Sequence, residues 1–131
     1  MKVLVAVFLI VVAVVVATFF YRSYKLGQFD AAIGMVHRLV DAEAKFAQAH
    51  PKEGYTCNLS ELNADGEAMK AVIGTGEWQG YSFEIRECKA ANDQKLHATY
   101  EIIARPLHGG EKVCADQSQV VRFYEPRCDE E

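Results

Sequence analysis

The chain has 131 residues, room for one domain, with a formal net charge of −4 and charged side chains at 24% of positions. All 18 acidic residues lie after position 25, whereas Lys2, Arg22 and Lys25 account for three of the 14 basic ones, so the part beyond position 25 carries 11 basic against 18 acidic residues, a net of −7. That sign disfavours nucleic acid and anionic lipid as partners, and the lack of low-complexity tracts and short repeats excludes disordered linkers and solenoids.

The first element is an unbroken apolar run from Val3 to Tyr21, carrying Leu4, Phe8, Leu9, Ile10, Phe19 and Phe20, with Thr18 its only polar interruption before Tyr21. At about 1.5 Å per residue it spans roughly 28 Å as a helix, close to the hydrocarbon thickness of a bilayer. Backbone groups in lipid are satisfied most cheaply by an intrahelical ladder, so the valine content does not argue for a strand. The run therefore predicts a transmembrane anchor over residues 1–25. Lys2 ahead of it and the small residues Val15 and Ala17 within it also fit a removable signal peptide cut after Ala17, although the run exceeds the usual signal core of about 7 to 15 residues. Basic residues on the two flanks nearly cancel, so the positive-inside bias does not orient the helix.

Beyond the anchor, Leu26, Phe29, Ile33, Val36, Leu39 or Val40, Glu43 and Phe46 recur in steps of three and four, which continues the helix amphipathically over 26–50. Pro51 ends it by disfavouring helical backbone at His50, and Gly27 and Gly34 are its weak points. Loops and short helices are predicted over 51–76: a reversal through Pro51 to Gly54, a capping box of Asn58 with Glu61, and a segment Glu67 to Ile73 capped by Asp65, with Ala68, Val72 and Ile73 inward and Gly74 as its stop.

From Gly80 the period becomes two. Tyr81, Phe83 and Ile85 alternate with Ser82, Glu84 and Arg86, and Leu96, Ala98, Tyr100 and Ile102 alternate with His97, Thr99 and Glu101, the two joined by a turn at 91–94. A second hairpin is expected from Lys112 to Ala115 and Val120 to Tyr124, followed by an acidic tail with Asp129, Glu130 and Glu131. The fold class is thus α+β, one long helix packed on an antiparallel sheet of about four strands spanning 77–128.

Cys57, Cys88, Cys114 and Cys128 all follow the anchor and are widely spaced. An even count in a small domain behind a membrane signal reads as two disulfides, because structural zinc generally needs close pairs and none is nearer than 14 positions. Pairing 57 with 88 and 114 with 128 is favoured, since each closes a moderate loop without crossing. Oxidation places this part outside the cytoplasm, with the N-terminus inside.

The residues suggest no chemistry of their own. His37, Asp41 and Lys45 share a helical face, which a solvated surface with i, i+4 pairs explains. His50, His97 and His108 lack metal spacing, Ser60, Ser82 and Ser118 lack a nucleophile elbow, and no glycine-rich phosphate loop is present, so no catalytic residue, cofactor, metal or small-molecule substrate is expected. Trp78 and Tyr81, beside Gly76 and Gly80, are the candidate interaction residues, with a core position the plainer reading.

In layout the chain resembles the type IV pilins and the pseudopilins of type II secretion: an apolar helix that becomes amphipathic, a variable loop, then an antiparallel sheet with a disulfide near the carboxyl end. Glu43 to Ala47, Gly54 to Leu62, Gly80 to Ile85 and Cys114 to Arg122 look like corresponding segments of small pilin-like proteins, with Gln119 where glycine is common. The resemblance covers most of 29–128. It implies a non-enzymatic envelope protein of the inner membrane, head in the periplasm or outside the cell, whose partners are the membrane and other pilin-like or envelope proteins of a pilus or secretion system. The family's cleavage glycine and the glutamate within its apolar stretch are not matched, which sets aside the family's processing and filament assembly as expectations and favours a membrane-tethered binding or assembly part on an uncleaved anchor over a filament subunit. A small disulfide-bonded periplasmic or secreted ligand-binding module, released by signal cleavage, is the alternative.

Overall fold

The long helix is continuous. In the computed structural model, which describes residues 1–90, 96–124 and Cys128, α1 runs from Lys2 to Ala49 through both Gly27 and Gly34. It ends at His50, whose backbone N–H bonds to the Phe46 carbonyl, as the following proline requires.

Two halves of α1 have opposite surroundings. From Val3 to Tyr24 every side chain is exposed, and this is a helix long and apolar enough to cross a membrane. From Ala32 onward one stripe is sealed, with Ala32, Met35, Val36, Leu39, Val40 and Glu43 buried against the sheet. Leu26, assigned to the inward stripe by spacing, is exposed; the stripe begins at half-buried Phe29, where the sheet first reaches the helix. Ala32 and Met35 share that stripe and were not assigned to it.

After α1, a reversal at 51–54 leads to a single 3-10 turn, Leu59–Glu61, and to α2, Glu67–Thr75. Asn58 caps the 3-10 turn by accepting from the Ser60 N–H at 3.1 Å. Glu61 does not complete a capping box; its carboxylate accepts from the Thr56 hydroxyl instead. Asp65 does not cap α2 either. Its backbone carbonyl and carboxylate face Arg38, and Gly66 stands at the N-cap. Gly74 lies within α2 and Gly76 ends it, because Gly76 takes the left-handed φ of 73° that lets its N–H return to the Val72 carbonyl. Met69 and Val72 are the buried residues of α2, with Ala68 and Ile73 half-buried beside them.

The sheet is a five-stranded antiparallel meander in sequence order: β1 Glu77–Trp78, β2 Tyr81–Ala90, β3 His97–Pro106, β4 Val113–Asp116 and β5 Val121–Phe123. The additional strand, β1, is short and turns into β2 through Gln79 and Gly80, both at positive φ, a two-residue hairpin whose backbone matches the twist of its strands. The expected 91–94 turn and the tail from Glu125 to Arg127 and from Asp129 onward lie outside the described residues.

Inner faces of the sheet carry Tyr81, Phe83, Tyr100, Ile102, Ala104, Val113 and Ala115 onto α1. Ala98, expected to point inward, is exposed. Outer faces are tied by ion pairs: Arg86 to Glu101 at 2.6 Å, Arg122 to Asp116 at 2.9 Å, and Arg105 to Glu84. Burial works to raise the Asp116 pKa, but hydrogen bonds from Ser118 and Arg122 outweigh it and hold the carboxyl below its usual value.

Both favoured cysteine pairings are present, Cys57 with Cys88 and Cys114 with Cys128, each with Cα atoms 5.6 Å apart, inside the range a disulfide needs. A bulge makes the first one reachable. Strict alternation from Tyr81 would send Cys88 outward with Arg86, but Glu87 at φ 56° inserts an extra residue between the Arg86 and Lys89 pairings and turns Cys88 onto the core side. On the outer face, Ile103 and the Cys114–Cys128 bridge form a second small buried cluster.

Candidate functional site

Two places among the described residues bring polar groups together from distant segments onto buried or apolar surroundings, the disulfide-braced loop and the base of the head. In the first, Gly54 lies beside His97 in a parallel bridge: the Tyr55 N–H donates to the His97 carbonyl at 3.0 Å, and the His97 N–H donates to the Glu53 carbonyl at 2.8 Å. His97 is half-buried and anchors this loop, with its Nδ1 3.2 Å from the Tyr55 carbonyl, rather than standing on a wet face. Glycine is required at 54, since its φ is 77° and a Cβ would sit 2.3 Å from the His97 oxygen.

Beneath that loop lies Glu43, an acid in the apolar stripe of α1 with 0% exposure. Its Oε2 accepts from the Thr56 N–H at 3.0 Å, and its Oε1 has no hydrogen-bond partner among the described residues. Burial raises its pKa to about 7; the Thr56 bond works against that rise and the nearby Glu61 carboxylate adds to it. Tyr100, its ring tilted against that of Tyr55 with centroids 4.7 Å apart, is buried in the same place, and burial raises its phenol pKa as well. The arrangement is a latch: a helix carboxylate holding the backbone of the residue next to Cys57. It lies buried within the core.

The second place is a cleft of about 310 Å³ between residues 21–29 of α1 and the lower edge of the sheet. Lys25 builds one wall by donating from Nζ to the His108 carbonyl at 2.6 Å and towards the Gly109 carbonyl at 3.4 Å. Tyr81 builds the other, its hydroxyl donating to the Glu111 carbonyl at 3.1 Å. Gly80 allows the close approach of Gln28, whose amide a Cβ would meet at 2.4 Å. Phe29, Phe123 and Tyr124 form a ring cluster at 5.5–5.6 Å spacings across the same end. Tyr21, Arg22, Tyr81, Glu111 and Tyr124 all line the opening. Tyr24, Leu26, Leu107 and Tyr124 are large apolar or aromatic side chains left exposed at this end of the head.

Trp78 and Tyr81 do not form an exposed aromatic pair. Trp78 is half-buried against the core, and Tyr81 is 4% exposed with only its phenol edge reaching the cleft. Burial and the Glu111 carboxylate raise the Tyr81 phenol pKa. The anchor residues Val3, Leu4, Phe8, Leu9, Ile10, Phe19, Phe20 and Tyr21 all lie on the exposed half of α1. His37, Asp41 and Lys45 are exposed along α1, His50 stacks on Phe46 at its end, and His108 contributes its carbonyl to Lys25. Among the described residues no three histidine, cysteine or acidic side chains gather as a metal-binding group.

The cleft went unread in the sequence because its walls come from four separate segments. Tyr21, Arg22 and Lys25 together were a signal of it, an aromatic and basic girdle directly after an apolar run. No protein-family model, no curated protein and no solved structure matches the chain.

Proposed function

We propose that this is a non-enzymatic, pilin-like envelope protein, held in the inner membrane by the first half of α1 with its N-terminus in the cytoplasm, and presenting a disulfide-braced head on the periplasmic or outer side. The observation that carries this reading is the division of one continuous helix into a wholly exposed apolar half and a half sealed against the sheet. An apolar helix of that length is destabilised in water by its exposed surface, and lipid is the environment that removes the penalty. Two disulfides support an oxidising location for the head. The head acts as an assembly or contact part for other envelope proteins of a pilus or secretion apparatus.

Intact mass measurement of the chain from carbonate-washed membranes, without reductant, tests the reading. An unclipped chain four hydrogens lighter than its reduced mass is expected. A soluble chain beginning at Thr18 would instead establish the released binding module, and free thiols would reverse the topology.

A further inference from the structure

The cleft at the foot of the head stands immediately after the apolar run, and its position and its charges point to the same ligand. Residues 22–25 rise about 6 Å beyond Tyr21, which in an anchored chain is the depth of the headgroup layer. The Arg22 guanidinium is exposed there, and no hydrogen bond or ion pair engages it among the described residues. Across the cleft Glu111 uses its backbone carbonyl for Tyr81, and its carboxylate lies close enough to raise the Tyr81 phenol. Between them are the rings of Tyr21 and Tyr124, with the Tyr81 hydroxyl at the opening. A guanidinium matches a phosphate in a bidentate manner, and a carboxylate beside tyrosine faces matches an ammonium.

We propose that this cleft holds the headgroup of a zwitterionic bilayer phospholipid, with its phosphate on Arg22 and its ammonium against Glu111 and the tyrosines. The inference rests on the anchored reading. The charges at the opening are Arg22 and Lys25 against Glu111, with Lys25 already engaged by the His108 and Gly109 carbonyls, so among the described residues one free cation faces one acid as a zwitterion requires, and the head beyond position 25, at −7, opposes the approach of an anionic lipid. Exposed Leu26 continues the apolar run towards the cleft, providing a greasy surface on which the glycerol and upper acyl chain lie. A seated lipid fixes the head and its continuous helix against the bilayer at one tilt.

The test uses the full chain in nanodiscs made of equal parts phosphatidylethanolamine and phosphatidylglycerol, after flotation has established that the chain inserts. Native mass spectrometry then counts the lipid retained on the released protein. One phosphatidylethanolamine per chain is expected, retained on the order of tenfold less by Arg22→Gln, the loss of one charge-assisted contact. Glu111→Gln should erase the preference over phosphatidylglycerol while retaining a lipid, and Lys70→Gln, on distant α2, should change nothing. Failure to float overturns the anchor and the lipid site together. A chain that floats but retains no lipid, retains both lipids equally, or carries a second copy of itself in place of lipid overturns the site and leaves the anchor standing.

Discussion

Replacing Glu43 with Gln should make the head more stable at neutral and alkaline pH, although it removes a charged partner of the Thr56 N–H. The amide keeps an acceptor at the position of Oε2, which bonds Thr56 at 3.0 Å, and discards a charge that is fully buried. A carboxyl held at about pH 7 instead of its ordinary 4.5 corresponds to about 3 kcal/mol favouring the neutral form. Because the folded pKa is the higher one, the native state binds more protons between these values, and stability falls as pH rises from 4.5 through 7. Below that window the acid is neutral in both states and carries no penalty; above it the penalty is complete. Urea unfolding of the detergent-solubilised full chain, disulfides intact and followed by the fluorescence of Trp78, should show wild type losing about 1.4 kcal/mol per pH unit within that window in excess of Glu43→Gln. At about pH 8 the variant should be more stable by about 2 kcal/mol, the full penalty less the strength lost when an ionic acceptor becomes neutral. Parallel pH profiles, or a variant less stable than wild type at that pH, would refute the reasoning.

Four other variants test separate parts of the fold in the same assay. Gly54→Ala should lose at least about 2 kcal/mol, because φ of 77° and a Cβ driven into the His97 carbonyl both oppose it. Ile103→Ala should lose about 3 kcal/mol by opening a cavity under the Cys114–Cys128 bridge; a loss below about 1 kcal/mol would mean that the outer cluster is not packed as described. Gln119→Gly should gain about 0.5 kcal/mol, since Gln119 holds φ of 63° at the end of the turn into β5 and glycine takes that conformation without strain. Removing Cys57 and Cys88 together should cost about 3 kcal/mol, with a non-reducing peptide map showing the 114–128 bridge retained.

Much of the architecture was legible because it is written in periods. The apolar run and the three-and-four spacing to Phe46 gave α1 and its end before Pro51, and the alternation from Tyr81 gave the core face of β2. What escaped was set by single backbone conformations or by distant contacts. Gln79 and Gly80 make the hairpin that adds β1, and no apolar pattern marks a strand of two residues. Glu87 inverts the face on which Cys88 stands, so the pairing was reached by loop length while its geometry depends on a bulge. Asp65 has the chemistry of a helix cap, but α2 starts one residue later, at Gly66, with the Asp65 backbone carbonyl held by Arg38, 27 residues earlier, and its carboxylate in solvent. Glu43 stood on the helical stripe in the sequence as its one polar member; that Thr56 and Glu61 surround it is a consequence of the loop fold, invisible to spacing. The cleft joins Arg22 to Glu111 across most of the chain, and only the assembled fold brings them to one opening.

The account depends most directly on which side of a membrane the head occupies. Sealed membrane vesicles of both orientations, carrying the full chain and treated with protease from outside, read this in one experiment. The head should be digested only in right-side-out vesicles, leaving an N-terminal fragment near residues 1–25 that carbonate does not extract. Digestion only in inverted vesicles, or a whole chain that carbonate washes free, would contradict the account.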